Sequence, residues 1–544
     1  MTEKSSSGKR SAQQRRPREA TMIMPTTRQD GAESKNRKPK VKLAETKKAG
    51  PLQYMLLASL VILSFFPIFG NHTLWSEHDS VIRSPYQSMD SWKEIFSIDL
   101  IRNEDPLTTA TFFLEGYLPL PPAILHRGLN LVLHLAAAVL FLRLIELFKF
   151  PGAYSATLIF ALHPAVLQTL FWPGYRGQII ALIFLLGALI YGIRNSGQTD
   201  FAKSIVLTSV TSLMQPIGLA IPFILGISII YQDKAFNLKS LNRILPLLCI
   251  STFIVVWTQT GVAIDPEEEN TVVLNSLNLA GDKMFFYVEQ SFAPFELGLF
   301  HPYAEENRNL AGAELSLLPF FLFVPFYLLI AFNFRKKWSK AIFLGISAFL
   351  LLAIPNTSSI GRMVDGSPAL ENYGQYISLP FIIALVIIGF VSAMRLIGAK
   401  AVLFSKIALL LIITAEIFLS ASFSYAVGDQ IRLWRGFMTR WPDSTHIQLA
   451  YLDSIKTDDG YAVDDEGLIR LLTKVAESQD QQIAQEIELA RAYVRIDQFE
   501  NAARIYRRLL GDTDPSNALL EEAALFFDKA GFRNEANMAR ERKQ

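Results

Sequence analysis

The sequence holds a single cysteine, Cys249, in an apolar run, so no intrachain disulfide can form and a disulfide-stapled outer domain is excluded. Charge is scarce as well. Asp, Glu, Lys and Arg make up 19% of the chain, whereas a soluble protein carries roughly a quarter. No spacing matches a zinc site, a nucleotide-binding loop or a serine triad, so neither a metal nor a cofactor is expected. No signal peptide of the cleavable type is expected at the start. The first apolar run begins near Leu52 and reads as an anchor that stays in the membrane.

What is present is sharply partitioned, which makes the net charge of +2 uninformative. Residues 1–50 carry fourteen Lys and Arg against five acids and almost no aromatics. They cannot bury enough apolar surface to fold and are predicted to be disordered. Such an arm can bind anionic lipid or nucleic acid. The simpler reading is a cytoplasmic positive-inside tail, with no nucleic-acid partner.

A membrane span needs about twenty apolar residues. That rule places spans near 52–70, 128–148, 152–171, 175–193, 241–262, 316–334, 339–354, 375–396 and 402–425. The apolar stretch 203–231 is interrupted by Gln215-Pro216 and predicts two short helices, because Pro removes a backbone donor. The sum is about eleven spans over 51–427. With the N-terminus inside, the cytoplasmic turns carry Arg143 and Lys149, Arg194 and Lys203, Lys234 to Arg243, Arg335 to Lys340, and Arg395 and Lys400. The opposite side receives Glu267, Glu268 and Glu269. Every short turn obeys the positive-inside rule, and an odd span count puts the C-terminus outside, in the periplasm of a bacterium whose inner membrane would hold the chain. Two outer loops, 71–127 and 263–315, are long enough to carry function or structure of their own. The first contains an amphipathic stretch, Trp92 to Phe96.

Residues 428–544 turn soluble and helical. Within 483–516, Leu489, Ala490, Tyr493, Ala502, Tyr506, Leu509 and Pro515 fall at the small and large packing positions of a tetratricopeptide unit. A second partial copy follows, with Ala490, Tyr493 and Ala502 mapping onto Ala524, Phe527 and Ala536 at an offset of 34 residues. A generic helical hairpin is the plainer alternative, and 444–480 reads as a degenerate preceding unit. The fold class expected is therefore all-α, a polytopic membrane helix bundle with a C-terminal tetratricopeptide-like domain.

Ionisable groups at the membrane edge are costly and so are functional candidates. Four places qualify: Glu77-His78-Asp79; His126 with Asn130 and His134; His163-Pro164 with Trp172 to Arg176; and the loop Arg362 to Tyr376, which holds Asp365 and Glu371. Each has a plain structural reading. The acids could mark the solvated rim, His134 and His163 could be satisfied by neighbouring helices, and Arg176 could snorkel to the interface.

The run Asp105 to Thr109, then His126 to His134, then Phe160 to Pro164 and Trp172 to Arg176, resembles the transmembrane-and-tetratricopeptide O-mannosyltransferases. That family belongs to the C-type glycosyltransferase superfamily. The resemblance is densest over 71–193, and the helical tail after Arg432 to Trp434 fits it too. It implies a sugar donor on a polyprenyl phosphate, and an acceptor hydroxyl on an outer-face protein or glycan. Asp79 or Glu77 would act as general base. Arg176, His163, Arg102 and Arg362 would hold the donor and its lipid phosphate. The tetratricopeptide-like domain would take a protein partner. Three positions depart from the family pattern. Paired aspartates appear as Glu77-His78-Asp79, the arginine before the proline-leucine-threonine run is Asp105, and a late arginine-tyrosine pair is Gln375-Tyr376. These departures leave a second reading open, a catalytically inactive membrane scaffold that recruits envelope partners.

Overall fold

The computed structural model describes residues 48–70, 105–233, 238–259, 269–294, 300–302, 328, 336–356, 361–362, 368–440, 442, 445–457, 460–461, 464–476, 483–512 and 515–543. The chain is an all-α polytopic membrane protein. Among the described residues seven helices are long and apolar enough to cross a membrane, and a bent pair makes an eighth. The basic tail up to residue 47, the amphipathic stretch 92–96 and all of the expected span 316–334 except Leu328 lie outside the described residues.

The first span is α1, Pro51–Phe65, extended by a 3-10 turn, Phe66–Gly70. Pro51 fills the first helical position, where a missing N–H costs nothing, and the Gln53 side chain accepts from Gly50 N–H at 2.8 Å. A short helix α2, Pro106–Glu115, precedes the second span α3, Pro122–Leu147. Asp105 caps α2, accepting from the N–H groups of Leu107 and Thr108.

The third span breaks. Helix α4, Ala153–Leu162, ends at His163, a 3-10 turn covers Pro164–Val166, and α5 occupies Leu167–Phe171. The halves bend by 51°. The residue before a proline is driven out of the helical region, and His163 is accordingly extended, with φ −66 and ψ 131. The turn Pro173–Tyr175 leads into α6, Arg176–Arg194. Its apolar window is 78% buried inside the molecule, against 17% for the last span, so α6 forms the middle of the bundle.

The Gln215-Pro216 interruption yields the expected pair, α7 (Gln198–Met214) and α8 (Ala220–Asp233). Helix α7 packs on α6 through small polar residues. Ser204 Oγ donates to Ala188 O at 2.9 Å, which lets the backbones approach closely. Then come α9, Leu238–Gln259, and α10, Glu269–Phe292. Helix α10 lies in the second long loop. Spans α11, α12 and α13 follow as Lys337–Ala353, Leu379–Ile397 and Ala399–Val427. Strands β1 (Phe300–Pro302), β2 (Gly361–Arg362) and β3 (Pro368–Glu371) form a small antiparallel sheet in the order β1-β3-β2.

The C-terminal region begins with α14, Gln430–Arg440, α15, Thr445–Ser454, the hairpin strands β4 (Lys456–Thr457) and β5 (Gly460–Tyr461), and α16, Asp465–Ala476. Two helical hairpins close the chain: α17 (Ile483–Arg495) with α18 (Phe499–Asp512), and α19 (Asn517–Lys529) with α20 (Arg533–Lys543). From Ile483 to Asn517 and from Phe499 to Arg533 the helix starts recur after 517 − 483 = 533 − 499 = 34 residues. The caps recur at the same interval. Asp497 and Gly531 both have positive φ, and the next N–H reaches back to Tyr493 O and to Phe527 O at 2.9 and 2.8 Å. Ala490, Ala502, Tyr506, Leu509, Ala524, Phe527 and Ala536 are all buried.

Candidate functional site

The turn Trp172 to Arg176 gathers polar groups on both of its sides, at the end of the bundle where the first span finishes. Asn130, fully buried on α3, donates to the carbonyls of Thr169, Leu170 and Trp172 at 3.2–3.4 Å, capping the C-terminal end of α5. Its Oδ1 accepts from Arg176 Nε at 2.7 Å. One side chain thus satisfies a helix end and aims the guanidinium.

Arg176 has no exposed surface. It donates to Thr111 Oγ1 at 2.7 Å and to His126 O at 3.2 Å, stacks over Phe112 with its guanidinium carbon 4.5 Å from the ring centre, and pairs with Glu115 at 2.9 Å. The other Glu115 oxygen meets His126 Nδ1. Burial pushes the Glu115 carboxyl up, but the His126 hydrogen bond and the Arg176 charge outweigh it and hold it below the usual carboxylate range. Asp105 closes the far side of the cluster. Its carboxylate lies against Gly177, where a Cβ would sit 2.5 Å from Asp105 Oδ2. Where the family pattern has an arginine, this chain has a helix cap.

On the other side of the turn, Tyr175 stacks on Tyr373, with centroids 3.9 Å apart and planes 6° from parallel, and donates to Glu371 Oε1 at 2.8 Å. Burial pushes the Glu371 carboxyl up to about 7, against the opposing effects of Tyr175, Lys283 and Tyr373. Lys283, on α10, is buried too. Burial brings its ammonium down to about 8 while Glu371 opposes the fall. Lys283 Nζ and Tyr287 OH both donate to Asn356 O, at 3.4 and 3.2 Å. The 3-10 turn Asn372–Gln375 is fastened by Gln168, whose Oε1 accepts from Tyr373 N–H at 2.8 Å. Gln375, the third departure, donates to Asn372 Oδ1 at 2.9 Å.

The residues singled out in the sequence meet different fates. Arg176 lies at the centre of the first cluster. His163 is buried at the break of the third span, where its Nδ1 accepts from Ala165 N–H at 3.2 Å and caps the 3-10 turn. His134 is held by Tyr376 OH at 2.7 Å and Ala161 O at 3.0 Å, the Nε2–H tautomer satisfying both. Arg362 lies in β2, paired with Pro368. Asp79, Glu77 and Arg102 lie outside the described residues. Glu115 and Lys283 were missed. Glu115 is the lone charge between Asp105 and Arg127, an isolated acid in an apolar stretch, and that was the available signal. Among the described residues no three His, Cys, Asp or Glu side chains converge to hold a metal ion.

Fold and cluster together define a multi-pass membrane protein with a buried, charged centre at one end of its bundle. No family model matches the chain. Over 191 residues, 31% of this chain and 28% of the relative, it is 25% identical to Protein O-mannosyl-transferase F38B6.6 of Caenorhabditis elegans. Over 151 residues, 26% of this chain and 16% of the relative, it is 28% identical to Protein O-mannosyl-transferase TMTC3 of Homo sapiens. The chain thus spans less than a third of the length of these relatives.

Proposed function

We propose that the chain is a membrane glycosyltransferase that moves a sugar, mannose by analogy with its relatives, from a polyprenyl-phosphate donor to an outer-face protein. The observation that carries this reading is the partial likeness to two protein O-mannosyl-transferases, joined to a buried arginine cluster at the end of the bundle that the positive-inside reading puts outside. Asp79, or Glu77 beside it, takes the proton from the acceptor hydroxyl. The freed oxygen attacks the anomeric carbon, and the bond to the lipid phosphate breaks with its electron pair leaving on phosphate. Charge grows on that phosphate, and Arg176, with Arg102, Arg362 and His163 as further donor contacts, stabilises it. The reaction needs no metal or cofactor. The N-terminus is cytoplasmic, the C-terminus lies outside, and a bacterial inner membrane fits the short turns. The 34-residue period of the last two hairpins supports a tetratricopeptide-like domain that presents a surface to the acceptor protein or an assembly partner.

The test is Asp79→Asn at constant protein level, reading glycosylation of cell-surface proteins. Loss supports the transferase, and unchanged glycosylation removes Asp79 from the mechanism. A second reading, an inactive scaffold, draws on the structural use of Asp105 and Gln375, where the family pattern has cations. It requires that deletion of 440–544 abolish the phenotype while Asp79→Asn does not.

A further inference from the structure

We propose that Glu115 is a resident counter-anion occupying the place of the donor's phosphate on Arg176, and that the arriving lipid phosphate displaces it. The inference rests on the donor reading above. Apart from Glu115, the polar partners of the guanidinium among the described residues are the Asn130 amide oxygen, the Thr111 hydroxyl, the His126 carbonyl and the His126 ring Nδ1. Such a cradle fixes the cation without neutralising it. Among the described residues it is Glu115, at 2.9 Å, that supplies the opposite charge a buried arginine requires. A phosphate oxyanion meets the same requirement and accepts charge-assisted hydrogen bonds from a guanidinium as a carboxylate does.

The geometry also gives Glu115 somewhere to go. One carboxylate oxygen faces Arg176 and the other faces His126. When phosphate takes the guanidinium, Glu115 keeps its histidine partner. Only one of its two attachments is exchanged. Glu115 is the last residue of α2, and the turn that follows, Gly116 to Pro121, is exposed throughout. That turn is the way in. It is also apolar: Leu114, Tyr117, Leu118 and Leu120 are each more than half exposed, at 65%, 73%, 52% and 55%. An apolar strip beside a buried cation suits a ligand with a hydrocarbon chain and a phosphate head. Glu115 is therefore a positioning residue, holding Arg176 charged and aimed until the donor replaces it.

The experiment measures binding of undecaprenyl phosphate to the full chain in lipid nanodiscs, with undecaprenol and inorganic phosphate as comparison probes. Glu115→Gln, which keeps the shape and loses the charge, should bind undecaprenyl phosphate roughly tenfold tighter than wild type. It should also melt at lower temperature without the lipid and gain more from it. Arg176→Gln should lose the preference for phosphate over undecaprenol. Should Glu115→Gln be too unstable to purify, Glu115→Asp, whose shorter carboxylate pairs less well, should show a smaller gain. Unchanged or weaker binding by the Glu115 variants overturns the exchange, even where Arg176→Gln still removes binding and the donor reading survives. A wild type and a Glu115→Gln variant that both fail to distinguish undecaprenyl phosphate from undecaprenol overturn both. An equal gain for inorganic phosphate supports the exchange and overturns the lipid as its source.

Discussion

Glu371 carries its charge against its surroundings, and the consequence is a pH dependence of stability. Its pKa rises from 4.5 in the unfolded chain to about 7 in the fold, chiefly through burial. Between those values the folded state holds more protons than the unfolded state, so stability falls as pH rises from about 4.5 to about 7. Lys283 acts in the opposite sense. Its pKa falls from 10.5 to about 8, so the cost of its charge is present below about 8 and is relieved as pH climbs toward 10.5. The pair therefore sets a stability minimum between about 7 and about 8. Melting temperatures of the purified protein across this range should trace it. Glu371→Gln, which still accepts from Tyr175, should flatten the fall on the acid side, and an unaltered profile would show that the dependence lies elsewhere. Neither residue could be paired in the sequence. Tyr175 and Glu371 are 196 positions apart, and Arg176 and His126 are 50, so only a folded chain brings them together. Arg176 itself was legible because an arginine opening an apolar span is costly wherever it points.

At the scale of elements, local chemistry was the most readable. The breaks at Gln215-Pro216 and His163-Pro164 both fall at a proline, although the second bends a span that the apolar run alone made continuous. Asp105 was read as a lost cation and is a cap, and it also constrains the neighbouring helix. Asp105→Ala should cost about 1 kcal/mol through the lost cap. Gly177→Ala should cost about 1–3 kcal/mol by forcing a methyl group onto the Asp105 carboxylate. Together they should cost less than the sum, because the first change removes what the second collides with. Denaturation of the two single variants and the double variant measures the coupling, and strict additivity would contradict the packing. In the C-terminal hairpins, Tyr506 is buried, 4.9 Å from Phe526, and donates to Glu522 at 2.8 Å. Arg491 pairs with the same Glu522 at 2.8 Å from a half-exposed position. Tyr506→Ala should therefore cost about 3 kcal/mol or more, and Arg491→Ala about 1 kcal/mol or less. Thermal melts rank them, and the reverse order would mean that charge rather than packing joins the hairpins.

Across the whole molecule, hydropathy alone was enough to mark the chain as a membrane bundle with a helical tail. The 34-residue period was visible in three residue pairs before it appeared in helix starts and in the αL caps at Asp497 and Gly531. What sequence could not supply is the convergence of α2, α3 and α6 around Arg176, and of α10 and β3 around Glu371, since each element contributes one or two polar groups to a mostly apolar surface. In the topology that the basic turns imply, this convergence lies on the same side as the C-terminal domain. The proposed transfer to an outer-face protein requires that arrangement. The most direct test is transfer of labelled mannose from polyprenyl-phosphate mannose to an outer-face protein by the purified chain in lipid. Wild type should transfer, and Asp79→Asn should lose transfer by a hundredfold or more, of the order expected for a lost general base, while still binding donor. Equal transfer by wild type and Asp79→Asn, or none by wild type with donor bound, would contradict the account.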